Sequence, residues 1–256
     1  MPLIRESTPA EGVLLLTLNR PESRNALSLE LRQEMTDALT RATDAADVGI
    51  VVLTGGDAIF AAGADLHELA ASGPRDMLLR DIERHWRAVA AFPKPLIAAV
   101  NGPAFGGGFE LAMHADIILA ARTARFALPE VTLGLMPGGG GTQRLIRLIG
   151  KARAMRYLLT GDRIAAAEAA SMGIVSELVD DDNATPAAIA LASRMAKLPP
   201  LALRQIKEAT LAGADGPLAT GLLLERRASQ VLLDTDDLQE GIAAFFEKRP
   251  PVFTGH

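Results

Sequence analysis

Residues 94–145 read KPLIAAVNGPAFGGGFELAMHADIILAARTARFALPEVTLGLMPGGGGTQRL, and this stretch decides the fold. Leu96 to Val100 is a short, wholly apolar run ended by Asn101-Gly102, the composition of a buried strand. Gly106, Gly107 and Gly108 follow and open a helical pattern from Phe109 to His114. Glycines at a helix start leave N–H groups without intrahelical partners and let a ligand come close to the backbone. Two glutamates stand in this frame, Glu110 just after the glycines and Glu130 just after Pro129. Pro129 disfavours a helical Leu128 and fixes its own φ, which predicts Glu130 on a defined turn. A solvated charge at a helix N-terminus is the other reading of Glu130. Its apolar neighbours Leu128 and Val131 favour partial burial.

Upstream, Val13 to Leu18 reads as a strand and residues 19–25 as a loop of turn formers. Ser28 caps a predicted helix whose apolar positions Leu31, Met35, Leu39 and Ala42 give one buried face. Val48 to Leu53 is a β-branched run closed by Gly55-Gly56, as in a strand covered on both faces. Strand, helix and strand at this spacing predict an α/β chain. Phe60 to Leu66 is a turn of mostly small residues. A helix is predicted from Asp76 to Ala91, stopped by Phe92-Pro93-Lys94-Pro95, with the sole tryptophan, Trp86, expected in the core or at an interface.

Downstream, Asp116 to Ala121 reads as a strand and residues 136–142 open another helix. That glycine run lacks the Lys-Ser/Thr pair of a phosphate loop and the downstream acidic partner of a dinucleotide site, so a nucleotide cradle is not predicted. Helices follow over 152–159 and 165–172, a short strand over 174–178, and helices over 185–197, 201–211, 217–233 and 238–246. Leu222, Leu223, Leu224, Val231, Leu232 and Leu233 exceed the apolar content that one intrachain contact needs. The chain therefore reads as an α/β core carrying the site, residues 1–197, and a C-terminal helical region, residues 198–256, that packs on other subunits.

Composition narrows the function. A net charge of -5 argues against nucleic-acid or anionic-membrane partners, which need a basic face. The absence of cysteine removes disulfides, thiolate nucleophiles and cysteine-metal sites. His67, His85, His114 and His256 have no metal-ligand spacing, so no metal is expected. His114 follows Glu110 by four residues and shares its helical face; a Glu-His dyad and a structural histidine are both readings of it, and the second is expected. No apolar run reaches membrane-spanning length, and the first one alternates after acidic residues, unlike a signal peptide; a cytoplasmic protein is predicted.

The run FELA after the glycine triplet, ALPEVTLGLMPGGGGTQRL after it and FAAGADL before it together resemble the crotonase (enoyl-CoA hydratase/isomerase) superfamily, in order and over nearly the whole chain. The resemblance implies a spiral of ββα units with a C-terminal helical oligomerisation region, assembled as a trimer or dimer of trimers. It implies hydration of a 2-enoyl-CoA thioester, with Glu110 and Glu130 as catalytic residues and the N–H groups of Ala64 and Gly107 as an oxyanion hole. No cofactor is implied, because coenzyme A belongs to the substrate. By the same resemblance Ala62, Asp65 and Leu66 lie in the loop that reads the adenine, Lys248 reaches the CoA phosphates from a neighbouring subunit, and Ala26 and Gly138 line the substrate path. His67 stands where several hydratases carry a lysine, and Arg24 reads either as a substitute cation or as a solvent-exposed surface arginine. An enoyl-CoA isomerase, other acyl-CoA chemistry of the superfamily, and a non-catalytic CoA- or RNA-binding protein are the alternatives.

Overall fold

The computed structural model describes residues 1–73, 75–76 and 81–256. Its larger sheet contains, in spatial order, β1 (Ile4–Ala10), β2 (Gly12–Leu18), β3 (Val48–Thr54), β4 (Leu96–Val100), β6 (Ile117–Ala121) and β9 (Glu177–Val179). A smaller sheet joins β5 (Pro103–Phe105), β7 (Arg125–Ala127) and β8 (Ile164–Ala165). β1 and β2 form an antiparallel hairpin, and β2, β3, β4, β6 and β9 run parallel.

The helices are α1 (Leu29–Asp44), α2 (Leu66–Ala70), α3 (Ile82–Ala90), α4 (Gly107–His114), α5 (Gly141–Thr160), α6 (Ala166–Ser171), α7 (Ala184–Met195), α8 (Pro200–Ala214), α9 (Leu218–Leu232) and α10 (Asp236–Glu247). Part of the helix predicted over 76–91 falls on residues 77–80, outside the described residues. The predicted strand over 174–178 is shifted, with Ile174 and Val175 buried ahead of β9. The helix predicted over 152–159 is the second part of α5, which bends at Gly150 (φ 75°, ψ 162°).

The repeat that builds the fold is a strand of the large sheet, a strand of the small sheet and a helical turn. β4 turns at Asn101-Gly102 into β5 and then α4; β6 continues into β7 and then the 3-10 turn Pro129–Leu133. β5 pairs with β7 just as β4 pairs with β6, so one unit stacks on the other. Backbone bridges from Ala61 to Ala104 and from Leu27 to Ala64 carry the layering back towards β3 and β2. This is the ββα spiral. The turn between the layers is tight, since a Cβ on Gly102 would stand 2.1 Å from Ala58 O. The Asn101 side chain pins it, donating to Gly56 O at 3.1 Å and accepting from Ala184 N at 2.9 Å.

Alternate residues of the parallel strands face opposite sides. Val13, Ile50, Val52, Ile97, Ala99 and Leu119 pack on Ala184, Ala188 and Ala192, whose i, i+4 spacing brings α7 close to the sheet. On the other side Leu16, Leu53, Ala98 and Val100 share a core with Phe60, Phe109 and Phe126. α8 is fastened to this core by Lys207, whose Nζ meets Asp116 Oδ2 at 2.8 Å and Lys94 O at 2.9 Å. α8 and α9 pack as a helical hairpin in which Gly213 and Gly221 face each other closely. Among the described residues no helix is long and apolar enough to cross a membrane.

Candidate active site

The spiral brings the starts of α2, α4 and α5 to one cavity of about 450 Å³, lined by Ala64, Gly107, Glu110, Glu130, Gly138 and Gly139 among others. Gly106 caps α4 with φ 50° and ψ -126°, a conformation that suits glycine, and Gly107 is the first helical residue. Its N–H therefore has no intrahelical acceptor. A Cβ placed on Gly107 would lie 3.7 Å from Ala64 N, so the Gly107 and Ala64 amides are neighbours on the wall of one cavity.

The triplet meets three separate demands. Gly106 needs its positive φ and stands against Glu130, where a Cβ would be 2.9 Å from Oε1. A Cβ on Gly108 would strike Ala61 O at 2.3 Å, while one on Gly107 would meet nothing nearer than Leu27 Cδ1 at 3.4 Å. Gly107 is thus singled out by its amide and not by lack of room.

The loop bearing Ala64 is held by Asp65. This side chain is buried, accepts from Arg20 Nη1 at 2.6 Å and caps α2 by accepting from His67 N and Glu68 N. The Arg20 hydrogen bond keeps its carboxyl below the usual range, so the loop is tied to an ionised anchor.

The two glutamates sit in different surroundings. Glu110 is 3% exposed, and its Oε1 accepts from Gly139 N at 2.7 Å and Gly141 N at 2.8 Å, at the N-terminus of α5. Burial holds its pKa above the usual carboxylate range, against the opposing pull of the two N–H groups and the Arg32 charge. Glu130 lies on the 3-10 turn, half-buried, with an Oε2 that is sealed from solvent and has no partner among the described residues. Burial, with the charge of Glu110 adding to it, lifts Glu130 to about 7. Both carboxyls are raised by burial, but only Glu110 has backbone N–H groups that favour its charged form, while Glu130 is lifted to about 7.

The glycine run of residues 138–141 is the means by which Glu110 is held. A Cβ on Gly139 would stand 2.5 Å from the Trp86 ring, and one on Gly141 would stand 2.9 Å from Glu110 Oε1. His114 sits behind the run, with Nε2 2.9 Å from Gly139 O and its ring stacked on Trp86 at 5.4 Å. Burial lowers His114 to about 4, so the ring is neutral and Nε2–H donates to that carbonyl. The histidine is structural and forms no dyad with Glu110.

Residues 8–256 match the family model for enoyl-CoA hydratase/isomerase. The chain belongs to the enoyl-CoA hydratase/isomerase family. It is 46% identical over 245 residues to the 2,3-dehydroadipyl-CoA hydratase of Escherichia coli, covering 96% of each chain. Similarity to a probable enoyl-CoA hydratase of Mycobacterium leprae is 46% over 244 residues, 95% of each. The crystal structure of enoyl-CoA hydratase from Bacillus anthracis superposes with a TM-score of 0.96 at 39% identity, over the whole of both chains.

Of the residues that the enoyl-CoA hydratase/isomerase pattern selects in the sequence, the structure gathers Ala64, Asp65, Gly107, Glu110, Glu130 and Gly138 on the cavity wall. Arg24, Ala26 and Ala62 are beside it: Ala62 N donates to Arg24 O at 3.0 Å, and Leu27 continues the pairing onto Gly63. Ala62 spends its N–H there. Leu66 and His67 are exposed on α2, and Lys248 is exposed at the C-cap of α10; none of the three lines the cavity.

Trp86 packs against the core as expected and, half-buried, also lines the cavity. Arg32 was missed. Its signal was legible, since Ser28, Leu31, Arg32 and Met35 share the i, i+3, i+4, i+7 spacing of the buried face of α1, and an arginine there is out of pattern.

Proposed function

We propose that this chain is an enoyl-CoA hydratase, catalysing reversible syn addition of water to the C2=C3 bond of a 2-enoyl-CoA. The observation that carries the reading is two glutamates, one buried and accepting two backbone N–H groups and the other half-buried with an Oε2 unpartnered among the described residues, in one cavity with two adjacent backbone amides. The thioester oxygen is held by Ala64 N–H and Gly107 N–H, which stabilise the negative charge that develops as the enolate forms. Oε2 of Glu110 takes a proton from water as its oxygen bonds to C3. Glu130 delivers its proton to C2, and a proton passing from Glu110 to Glu130 restores the starting state. The steps are one C–O bond formation and proton transfers, with no change of redox state, so the reaction requires no cofactor. Loss of enoyl absorbance across a panel of 2-enoyl-CoA thioesters tests the activity directly; no loss with any of them overturns it.

The pH dependence follows from Glu130. Hydration needs it protonated, so kcat/KM should hold steady just below pH 7 and fall by about tenfold per unit well above it. Dehydration needs Glu130 ionised and should lose rate as the pH drops below about 7. A hydration rate that climbs through this range would reverse the two roles.

The CoA phosphates are assigned to Arg24 and to Lys248 of a neighbouring subunit, the adenine to the loop of residues 62–66, and the substrate path to Ala26 and Gly138. The assembly, a trimer or dimer of trimers, is assigned to residues 198–256. Supporting this, Leu218, Val231, Leu233, Phe245 and Phe246 are each more than half exposed on this region. Truncation after Asp215 keeps the Lys207 anchor but removes α9 and α10. Sedimentation should then show monomers or aggregates; an intact oligomer of unchanged stoichiometry would exclude these helices as the assembly element.

A further inference from the structure

α4 offers the loop ahead of α5 two side chains of opposite character. Glu110 and His114 are four residues apart, so they stand on one face of the helix a turn from each other. Both reach the glycine run. Glu110 Oε1 accepts from Gly139 N and Gly141 N, while His114 Nε2 meets the carbonyl of Gly139 at 2.9 Å. That carbonyl belongs to the peptide joining Gly139 to Gly140, which lies between the two peptides whose N–H groups hold Glu110. An acceptor and a donor on one helix face thus match the N–H, C=O, N–H order of the run.

A run of glycines needs such a clamp. Residues 138–141 have no Cβ to restrict them, and Gly140 takes φ 102°, so this segment loses more backbone freedom on ordering than any other composition would. Larger residues cannot stiffen it, because Trp86 and Glu110 fill the space a Cβ would need at 139 and 141. The imidazole is itself held, stacked on Trp86 with the ring planes 15° apart. Its Nδ1 is buried without a partner among the described residues, so a second proton there would find no acceptor. Burial, and after it the charge of Arg144, lowers His114 to about 4, and the ring keeps its one N–H for the carbonyl.

Resting on the hydratase reading of the same cavity, we infer that His114 is a positioning residue for hydration: by holding the Gly139–Gly140 peptide it aims the Gly139 and Gly141 N–H groups at Glu110 and so fixes the carboxylate that activates water. His114 exchanges no proton in the reaction. Without its hydrogen bond the glycine peptide is free to turn, and the two N–H groups no longer stay on Oε1. Burial of Glu110 is then opposed only by the charge of Arg32, so the carboxylate loses its fixed direction and its proton affinity rises.

The test uses three variants of the full-length protein. His114→Phe keeps a ring without the donor, His114→Leu keeps neither, and His114→Gln restores an N–H near the Nε2 position without the ring. The first two should lower kcat for hydration by about 5- to 100-fold, the cost of leaving the buried Gly139 carbonyl without its donor. KM should move by less than about twofold, because the amides of Ala64 and Gly107 are untouched. The acid limb of hydration kcat/KM, which reports ionisation of Glu110, should shift to higher pH in the same two variants. The other charged groups around the loop are unchanged in every variant: Arg32 on α1, Glu83 and Arg87 on α3, Glu130 on the 3-10 turn, Arg144 on α5 and the Arg147–Asp215 pair. His114→Gln should stay within about threefold of the parent, since it keeps the hydrogen bond. A folded His114→Phe variant with parent kcat and an unmoved acid limb overturns the assignment. So does a His114→Gln variant as slow as His114→Leu, because packing would then account for the loss. The hydratase reading fails separately, through a parent that hydrates no 2-enoyl-CoA. Hydrogen-deuterium exchange over residues 137–145 then decides whether His114 holds the loop: Gly139 and Gly141 should exchange about 5- to 100-fold faster in the donor-free variants, and rates equal to the parent's refute it.

Discussion

Glu110→Gln and Glu130→Gln should each lower hydratase turnover by about 10²- to 10⁴-fold, the range for loss of a positioned acid or base. Glutamine keeps the shape of each side chain. At position 110 the amide oxygen can still accept from Gly139 N and Gly141 N, so the loop that opens α5 stays in place while the proton acceptor is lost. At position 130 the buried, unpartnered Oε2 is replaced without removing any contact that holds the 3-10 turn. Folding and CoA affinity should therefore survive, as checked by circular dichroism and by binding of a saturated acyl-CoA. Near-parent turnover in either variant would end the two-glutamate mechanism. Isomerase activity retained by one of them would identify the carboxylate that serves C2.

Gly107→Pro should cost on the order of 10²- to 10³-fold in turnover, the consequence of losing one oxyanion donor. Proline suits this position in the fold, because the first residue of a helix gives its N–H to no intrahelical acceptor. The substitution thus removes the amide that neighbours Ala64 N and leaves the hydrogen bonds of α4 intact. Gly107→Ala is the matched control: its Cβ meets Leu27 Cδ1 at 3.4 Å, a contact the leucine can yield to, and the amide remains. Gly106→Ala does not serve, since it combines an unfavourable φ of 50° with a contact of 2.9 Å to Glu130 Oε1. A folded Gly107→Pro protein that turns over like Gly107→Ala would remove this amide from the oxyanion hole.

Much of the architecture was decided by local pattern. The apolar runs at Val48–Leu53 and Leu96–Val100 read as buried strands, and Ser28 with Leu31, Met35, Leu39 and Ala42 as a capped amphipathic helix; all of these are observed. The placement of Glu110 after three glycines and of Glu130 after proline was likewise visible, because helix starts and proline turns are written in neighbouring residues. The small sheet was not. Its strands span two or three residues, too few to show a period, and they exist through pairings between β5, β7 and β8 that lie far apart in the chain.

The chemistry of the site divides along the same line. Which residues carry carboxylates and which backbone positions are free of Cβ atoms is sequence information. That two N–H groups oppose the rise in the Glu110 pKa while Glu130 is pushed to about 7 is not, because the difference arises from two amides of the 139–141 loop on one side and from burial without a partner among the described residues on the other. Arg32 and Trp86 belong to the same category. Each occupies an ordinary helical position, and only the packing of α1 against α3 turns a charge and a ring towards the cavity, since direction and desolvation are properties of the assembled fold.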